Sequence, residues 1–571
     1  MTTGRDRKAE MDGGEAILEA LRRLGIEYII SSPGSEWAPM WEALNRQRAS
    51  GTPGPNYIQC WHELLATDIA AGYTLMTGRP QAVLLHAASG ILHGALGIYA
   101  ANRAEVPMIV FSGESVTLGE NPELPVEGQW YAGVSAGGTD VFVRPFTKWA
   151  MRVHSVETLY HSVIRARDMA VRTPKGPVYL DVPLEHMLAK WSGCEAGRTP
   201  PAAPVVGALA QDIRRVGSAI SAAKNPIVVT EHSGADPRVF EALKQFSDAF
   251  VIPVVGAPGA AYANFPSNHP LWLGVGAYHH LKDADLVLLM GGRTPWYPPS
   301  KRVTDGRIVA ISDHPMKGWL VYQNQQADEY LEGDIHHTLC MLLEEGHAKA
   351  IDGAALHARR DRWMSEHHKL VADLEEERTS ASKAGTLTVP SICQSVRAHV
   401  PEDAIFLEET IMHAVALRKH LPIDRPSSFF RHPGGGLGQG IGLALGIKLA
   451  SASRPVVLFV GDGSFLYNPI VQAFGASQEY SLPILIVVLN NAGYVSMGES
   501  HKIYYPDGIK TNADPKYGVT IKAPPLEQLA APFGFFGARV SNIRQFDDAL
   551  RAGLAAIASG RSAVVNAIMS T

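Results

Sequence analysis

Short apolar runs alternate with longer amphipathic segments along most of the chain. The apolar runs are rich in β-branched residues and the segments between them have helical periodicity, which is typical of parallel strands covered by helices. Strands are predicted at 178–182, 226–230, 284–290, 308–312, 404–407, 456–460, 484–489 and 563–567. The pattern therefore predicts an α/β fold built from doubly wound parallel sheets.

The predicted strands fall into three blocks, and the segments between the blocks have a different composition. Residues 192–204 are small, polar and rich in proline, and residues 379–385 are rich in serine and alanine. Both are expected to be connecting segments. The sequence therefore predicts three parallel-sheet domains at 11–190, 205–355 and 380–571.

Composition narrows the possible functions. The 571 residues carry a formal net charge of −5 and no cluster of lysine and arginine, so a nucleic acid is not expected as a partner. The amino terminus is polar, no apolar run is long enough to span a membrane, and the four cysteines lack the spacing of a metal site. A cytoplasmic protein is predicted, with no membrane partner.

The most informative motif follows the strand that ends at Val460. Gly461 and Gly463 allow a tight turn around Asp462, which is left at the carboxyl end of the strand. A helix is predicted at 470–480, with Asn468 as its cap, and the next strand leads to Asn490 and Asn491. Ligands of open α/β sheets bind at this edge of the sheet.

These residues suit a magnesium ion. Carboxylate and amide oxygens are hard ligands, and Mg²⁺ commonly joins protein carboxylates to phosphate groups. The sequence predicts a site for a metal and a diphosphate here, and the alternative is an ordinary strand-turn-helix with glycine at the turn.

The motif resembles the diphosphate-binding signature of thiamine-diphosphate-dependent enzymes, in which a GDG sequence precedes a pair of asparagines. The three-block order also resembles the pyrimidine-binding, central and diphosphate-binding domains of the 2-oxoacid decarboxylase and acetolactate synthase superfamily. The resemblance implies Asp462, Asn491 and Gly493 as metal ligands. It implies Gly463 and Ser464 as cofactor contacts.

A second part of the resemblance lies between Cys60 and Pro80, where His62-Glu63 is followed by a run of small residues. In this family a glutamate at the position of Glu63 hydrogen-bonds the aminopyrimidine ring and promotes its imino tautomer. Ala66, Thr67 and Ala70 lie on the helical face of Glu63, which predicts close packing and a desolvated carboxyl group. The alternative is a solvated surface glutamate.

Two more segments are similar to cofactor-binding stretches of the family. The glycine-rich segment 432–438 resembles the loop that bends the cofactor, which implies Leu437 as the wedge between its rings and the Gly435 carbonyl as a pyrimidine contact. A plain strand-to-helix turn is the alternative. Thr410 lies where a hydroxyl of the family contacts the diphosphate.

Three positions resemble substrate-side residues of benzoylformate decarboxylase. The segment 32–36 is similar to a loop whose serine binds the substrate carboxylate, which implies Ser35, although a helix cap is an equal alternative. His86 and His269 match catalytic histidines, and histidine is suited to proton transfer near neutral pH. A His-Pro pair such as His269-Pro270 also occurs in the superfamily with no catalytic role.

The resemblance implies a thiamine-diphosphate- and Mg²⁺-dependent enzyme that decarboxylates a 2-oxoacid without oxidation, through an enamine/carbanion intermediate. A carboligase of the acetolactate synthase type is the main alternative.

Gly291-Gly292-Arg293 loosely resembles a flavin-contacting loop and leaves a structural FAD open. The family also implies a homodimer or homotetramer with active sites between subunits. A relative that only binds the cofactor would be expected to lack Glu63, and a nicotinamide dehydrogenase is disfavoured because no GxGxxG motif opens a first βαβ unit.

Overall fold

A computed structural model of the protein describes residues 11–117, 120, 124–130, 138–193, 201–298, 300–318, 326–344, 351–431, 434, 436–507 and 517–570. These residues form three six-stranded sheets. Neighbouring strands are parallel in every sheet. The predicted α/β fold built from parallel sheets is confirmed, and the predicted domain bounds stay a prediction.

The first sheet has the strand order β2-β1-β3-β4-β6-β5. Its strands are β1 (Tyr28–Ser32), β2 (Asn56–Gln59), β3 (Ala82–Leu85), β4 (Met108–Glu114), β5 (Trp149–Arg152) and β6 (Pro177–Pro183). The helices in this part of the chain are α1 (Gly13–Arg23), α2 (Ala38–Ser50), α3 (Glu63–Thr77), α4 (Ser89–Arg103), α5 (Thr139–Val143), α6 (Val156–Val171) and α7 (Leu184–Leu188). Both faces of the sheet are covered, so β3, β4 and β6 are buried along their whole length.

The second sheet has the order β12-β11-β10-β7-β8-β9. Its strands are β7 (Pro226–Thr230), β8 (Val254–Gly256), β9 (Trp272–Val275), β10 (Leu286–Met290), β11 (Arg307–Ser312) and β12 (Glu329–Glu332). Its helices are α8 (Ala210–Ala222), α9 (Pro237–Phe250) and α10 (Ile335–Glu344), and α11 (Gly353–Lys383) follows. One apolar cluster lies on each face of this sheet.

The third sheet has the order β14-β13-β15-β16-β18-β17. Its strands are β13 (Ile405–Glu409), β14 (Phe429–Arg431), β15 (Val456–Gly461), β16 (Leu485–Asn490), β17 (Phe536–Val540) and β18 (Ala563–Ile568). The helices of this region are α12 (Val389–His399), α13 (Ala414–His420), α14 (Gly440–Ala450), α15 (Asp462–Tyr467), α16 (Ile470–Glu479), α17 (Val495–Tyr504) and α18 (Ile543–Ala558).

The chain divides into two compact units. One unit contains the first sheet together with α14 and α16, and the other contains the second and third sheets. Within the first unit, α3 packs against both α4 and α14.

In the part of the chain that the structure describes, no helix combines the length and the apolar character needed to cross a membrane.

Glycines allow α3 to approach both neighbouring helices closely. A Cβ atom at Gly97 of α4 would lie 2.0 Å from Thr67 Oγ1 of α3. A Cβ atom at Gly446 of α14 would lie 2.1 Å from the carbonyl oxygen of Ile69 in α3. No side chain fits at either distance. The helix that begins at Glu63 is therefore held on two sides by contacts that only glycine permits.

The structure differs from the sequence prediction around the GDG motif. Asp462 begins a helix, α15, instead of occupying a turn. Asn468 does not cap α16, because Pro469 occupies the cap position. The Asn468 side-chain oxygen accepts a hydrogen bond from the Ile441 amide near the start of α14, at 2.9 Å. The asparagine therefore supports a helix from a different segment of the chain.

Candidate active site

The residues predicted to bind a metal lie at the carboxyl edge of the third sheet. In the register of β15 and β16, Gly461 is paired with Leu489. Asp462 follows the first of these strands directly, and Asn491 follows the second. Parallel strands end at the same edge, so the fold brings together two residues that are far apart in sequence.

One backbone amide connects the two side chains. The Gly493 N–H donates to Asp462 Oδ2 at 3.1 Å and to Asn491 Oδ1 at 3.2 Å. Asn490 has a different role, because its Oδ1 accepts from the Ala492 amide and its Nδ2 donates to Asn566. Ala492 has a φ of 57°, which turns the chain sharply at this point. The turn directs Asn491 and Gly493 toward Asp462.

The Asp462 carboxyl group is in an environment that favours a cation. The residue is buried, and this burial raises its pKa, although nearby backbone N–H groups act in the opposite direction. A nearby cation would offset the cost of removing the carboxylate from water. The described residues contain no group of three or more histidine, cysteine, aspartate or glutamate side chains suited to a metal. Mg²⁺ held here by Asp462 and Asn491 would need further oxygen ligands, which a diphosphate can supply.

Gly463 and Ser464, the other predicted contacts in this motif, lie in the first turn of α15 and are buried. A Cβ atom at Gly463 would lie 2.5 Å from the ring of Tyr494. Glycine at this position therefore allows the α15 backbone and the loop after β16 to approach each other.

Thr410 lies at the same sheet edge, just after β13, and it is buried. Its amide and its hydroxyl group both donate to Glu408 Oε1, each at 2.6 Å. Glu408 Oε2 is paired with Arg431 Nε at 3.2 Å. The hydroxyl group of Thr410 would have to rotate away from Glu408 to donate to a phosphate oxygen, so its predicted diphosphate contact stays a prediction.

The glycine-rich loop before α14 is described in part. Gly434 and Gly438 have φ values of 87° and 98°, so both positions favour glycine. Leu437, the predicted wedge, is half-buried in this loop. Gly435 lies outside the described residues, and its predicted pyrimidine contact stays a prediction.

Glu63 is the first residue of α3, and its side chain is 15 % exposed. This agrees with the expected desolvation. Gly90 of α4 lies between Glu63 and His86. A Cβ atom at Gly90 would lie 3.5 Å from Glu63 Oε1 and 2.8 Å from His86 Cβ. The structure therefore places the predicted catalytic residues Glu63 and His86 side by side in one unit.

A buried carboxylate holds His86. Glu36 is completely buried, both of its oxygens lie 3.0 Å from His86 Nδ1, and its Oε1 also accepts from the Ala87 amide at 2.8 Å. The hydrogen bond to Glu36 is the main cause of a raised pKa at His86, and the negative charge of Glu63 adds to it. With Nδ1 donating to Glu36, Nε2 is left to exchange a proton with a substrate.

Ser35, the predicted carboxylate-binding residue, is exposed in a short 3-10 helix beside this pair. Gly34, and not Ser35, occupies the helix cap. Ser35 Oγ accepts a hydrogen bond from Gln129 Nε2 at 3.2 Å, and the neighbouring Trp130 ring meets His86 edge-on at 6.1 Å. The residues of this surface combine a hydroxyl group, an amide and an imidazole.

His269 lies in the second unit, where its side chain contacts residues close to strands β8 and β9 of the second sheet. Its Nδ1 accepts from the Leu271 amide, its Nε2 is 3.4 Å from Asp248, and its ring packs edge-on against Phe265. Burial lowers its pKa, and Asp248 partly offsets this effect. The catalytic role of His269 stays a prediction.

Sequence reasoning did not identify Glu36 or His93 as site residues. Glu36 follows β1 and His86 follows β3, and these strands are neighbours with Ser32 paired to Leu85. The strand order, once known, indicates that the two residues meet. His93 Nδ1 is 3.2 Å from Glu63 Oε2. No motif in the sequence indicated this contact.

Three family models match the chain. The thiamine pyrophosphate enzyme N-terminal TPP binding domain matches residues 11–127, the central domain matches 213–342, and the C-terminal TPP binding domain matches 412–567. The chain therefore belongs to the thiamine pyrophosphate enzyme family, and it is a thiamine-diphosphate-dependent lyase or carboligase.

Known relatives include enzymes of both kinds. Benzoylformate decarboxylase of Pseudomonas aeruginosa is 26 % identical over 500 residues, which cover 84 % of this chain and 86 % of the relative. The acetolactate synthase large subunit of Haemophilus influenzae is 24 % identical over 503 residues, which cover 84 % of this chain and 82 % of the relative. The thiamine diphosphate-dependent 4-hydroxybenzoylformate decarboxylase of Rhodococcus jostii has a similar fold. Its TM-score is 0.77 at 22 % identity, with 98 % of this chain and 99 % of that chain covered.

Proposed function

We propose that this protein catalyses the non-oxidative decarboxylation of a 2-oxoacid with thiamine diphosphate and Mg²⁺. The observation that carries the proposal is the arrangement of Glu63, His86 and Glu36 in the first unit, where the carboxyl group of Glu63 lies beside the pair formed by His86 and the buried Glu36 carboxylate. This arrangement supplies separate groups for the cofactor and for the substrate.

The cofactor, when bound, supplies a thiazolium ring that accepts the electron pair left by the departing carbon dioxide. Asp462, Asn491 and the carbonyl oxygen of Gly493 would hold Mg²⁺ and with it the diphosphate. Gly463 and Ser464 would contact the cofactor. Glu63 would share a proton with the aminopyrimidine ring. Leu437 would pack between the two rings.

On the substrate side, Ser35 would orient the 2-oxoacid by donating a hydrogen bond to its carboxylate. His86 would exchange a proton with the reacting carbon or oxygen through Nε2, while Glu36 keeps Nδ1 protonated. The raised pKa of His86 means that its charged form persists to a higher pH than that of an ordinary histidine, so a proton is available near neutrality.

The experiment that tests the function is product analysis with a panel of 2-oxoacids, with and without an acceptor aldehyde. Mass spectrometry should find an aldehyde and carbon dioxide in the absence of an acceptor. A product that joins the substrate fragment to a second carbonyl compound would indicate the carboligase reaction. Failure to consume any 2-oxoacid in the presence of Mg²⁺ and thiamine diphosphate would contradict both.

Replacement of His86 or Ser35 by alanine is expected to reduce turnover more than cofactor binding. Both side chains are proposed to act on the substrate, and neither belongs to the diphosphate motif. Steady-state kinetics on a good substrate and calorimetric titration with Mg²⁺ and thiamine diphosphate would measure the two effects. If kcat and KM were unchanged in both variants, the substrate-side assignment would be wrong.

The Glu36→Gln variant is expected to lower the pKa of His86 and reduce turnover by roughly tenfold to a hundredfold. Glutamine keeps the size of the side chain but removes the charge that favours imidazolium. The pKa of His86 should fall because Glu36 raises it in the parent protein, so that without Glu36 the proton leaves His86 at a lower pH.

NMR titration of the His86 ring and the pH dependence of kcat/KM would measure both effects. Glu42→Gln is a suitable control, because Glu42 is an exposed glutamate of the nearby α2. An unchanged His86 titration in Glu36→Gln would show that the carboxylate does not control the histidine.

We also propose that the active form is a homodimer or a homotetramer. Trp61, two residues before Glu63, and Leu92, the residue before His93, are more than half exposed in the single chain. Large apolar side chains around a functional group are typical of a surface that a second subunit covers. A cytoplasmic location stays a prediction, and a structural FAD stays an open alternative.

A further inference from the structure

Two histidines lie on the exposed side of Glu63. His93 of α4 places its Nδ1 at 3.2 Å from Glu63 Oε2. The ring of His62, the residue before α3, stacks on the ring of His93 with centroids 5.7 Å apart and an interplanar angle of 18°. The His93 side chain is 63 % exposed, whereas the Glu63 side chain is 15 % exposed. His93 therefore contacts one oxygen of a mostly buried carboxyl group, and His62 packs on His93.

The hydrogen bonds of this pair define the orientation of both rings. His62 Nδ1 accepts from the Leu64 amide at 3.1 Å, so His62 is the cap of α3 and its ring is held by the helix backbone. The stacked arrangement restricts the plane of the His93 ring. Because a carboxylate oxygen can only accept, His93 Nδ1 must carry the proton in this contact.

The contact has a consequence for the free oxygen of Glu63. A carboxyl group that shares a proton with a ring nitrogen must present one oxygen in a fixed direction. His93 engages Oε2 and leaves Oε1, which lies on the side of Gly90 and His86. Any orientation of the carboxyl group other than this one, or its equivalent with the two oxygens exchanged, would break the His93 contact.

We propose that His93 is a positioning residue that holds Oε2 of Glu63 so that Oε1 is presented to the aminopyrimidine ring, with His62 restricting the His93 ring. The role assigned to His93 rests on the proposed function of Glu63. No proton needs to move between His93 and Glu63, because His93 acts only as a hydrogen-bond donor.

The first test uses the protein without cofactor. Long-range ¹H–¹⁵N NMR of histidine-labelled protein, recorded at about pH 9, above the ordinary histidine range, reports which nitrogen of each ring is protonated. His93 should be protonated at Nδ1 in the parent protein and should change to Nε2 in Glu63→Ala. A parent spectrum with His93 protonated at Nε2 would refute the contact and would leave the proposed function of the enzyme untouched.

The second test uses two variants of similar shape. Asn can donate from the position of Nδ1, whereas Leu fills the same space with no donor. His93→Leu should slow hydrogen–deuterium exchange at the thiazolium carbon of bound cofactor by roughly tenfold or more, and His93→Asn should restore most of the rate. Cofactor affinity and KM should change much less than kcat in His93→Leu.

His357→Leu is a matched control, because His357 is an exposed helical histidine whose Nε2 is 3.4 Å from Asp361. The rate of exchange at the thiazolium carbon in His357→Leu should equal that in the parent protein. Exchange in His93→Leu as fast as in the parent, or in His93→Asn as slow as in His93→Leu, would overturn the proposal. A parent protein that does not accelerate exchange would instead refute the cofactor role of Glu63, and with it the proposed function.

Discussion

The Glu63→Gln variant is expected to lose thiazolium activation by a hundredfold or more, an order of magnitude typical of general acid–base catalysis. Glutamine has the same length and forms hydrogen bonds, but it cannot exchange a proton with the aminopyrimidine ring. Glu63→Asp should cause damage of the same kind, because it withdraws the carboxyl group by one methylene. Cofactor affinity should fall much less than turnover, since the diphosphate motif belongs to a different segment of the chain.

Hydrogen–deuterium exchange at the thiazolium carbon of bound cofactor measures this step without requiring a substrate. Glu19→Gln is a suitable control, because Glu19 is a helical glutamate of α1 that is also engaged with basic side chains. Exchange in Glu63→Gln as fast as in the parent would remove Glu63 from the mechanism.

The Asp462→Ala variant is expected to lose affinity for Mg²⁺ and thiamine diphosphate by about a hundredfold or more. Asp462 is the carboxylate of the proposed metal site, so without it the diphosphate loses the cation that links it to the protein. The fold should be retained, since Asp462 lies at the edge of the sheet and outside its apolar core. The parent protein should also lose affinity for Mg²⁺ as the pH falls, because protonation removes the charge of Asp462. Burial raises the pKa of Asp462, so this loss should begin at a higher pH than it would for an exposed aspartate.

Calorimetric titration of chelator-treated protein, with Mg²⁺ added back, would measure the affinity, and thermal unfolding without cofactor would verify the fold. Asp548→Ala is the matched control, because Asp548 is an exposed aspartate of α18 in the same region. Tight binding by Asp462→Ala, or full activity of metal-free parent protein, would contradict the metal assignment.

The strands could be predicted from the sequence because parallel strands covered on both faces carry continuous apolar runs. The strand predicted at 226–230 coincides with β7, and the other predicted strands differ from the structure by a few residues at their ends. The grouping of Asp462 with Asn491 also followed from the pattern, since two neighbouring parallel strands end at one edge.

The helix at Asp462 could not be predicted in the same way. Two glycines around one aspartate favour a turn by intrinsic propensity, but burial of Asp462, Gly463, Ser464 and Phe465 in the folded chain favours α15. Asn468 is a similar case, because its partner, the Ile441 amide, is in another segment. Local patterns contain no information about such partners.

The pairing of Glu36 with His86 depends on strand order, and the contact of His93 with Glu63 depends on how closely α4 packs against α3. Neither can be derived from spacing within one segment. The resemblance to a known family implied roles for Glu63 and His86, but it gave no indication of the side chains that contact them in this chain.

The close packing of α3 has a consequence for directed evolution of this enzyme. Gly97 on one side and Gly446 on the other leave no space for a side chain, so a mutation cannot shift α3 without separating two helices. Libraries that randomise these glycines should return few active clones, although neither residue is proposed to contact a substrate. Variation at Ser35, whose side chain is exposed, should be the more productive way to obtain new substrates, whereas the adjoining Glu36 is buried against His86.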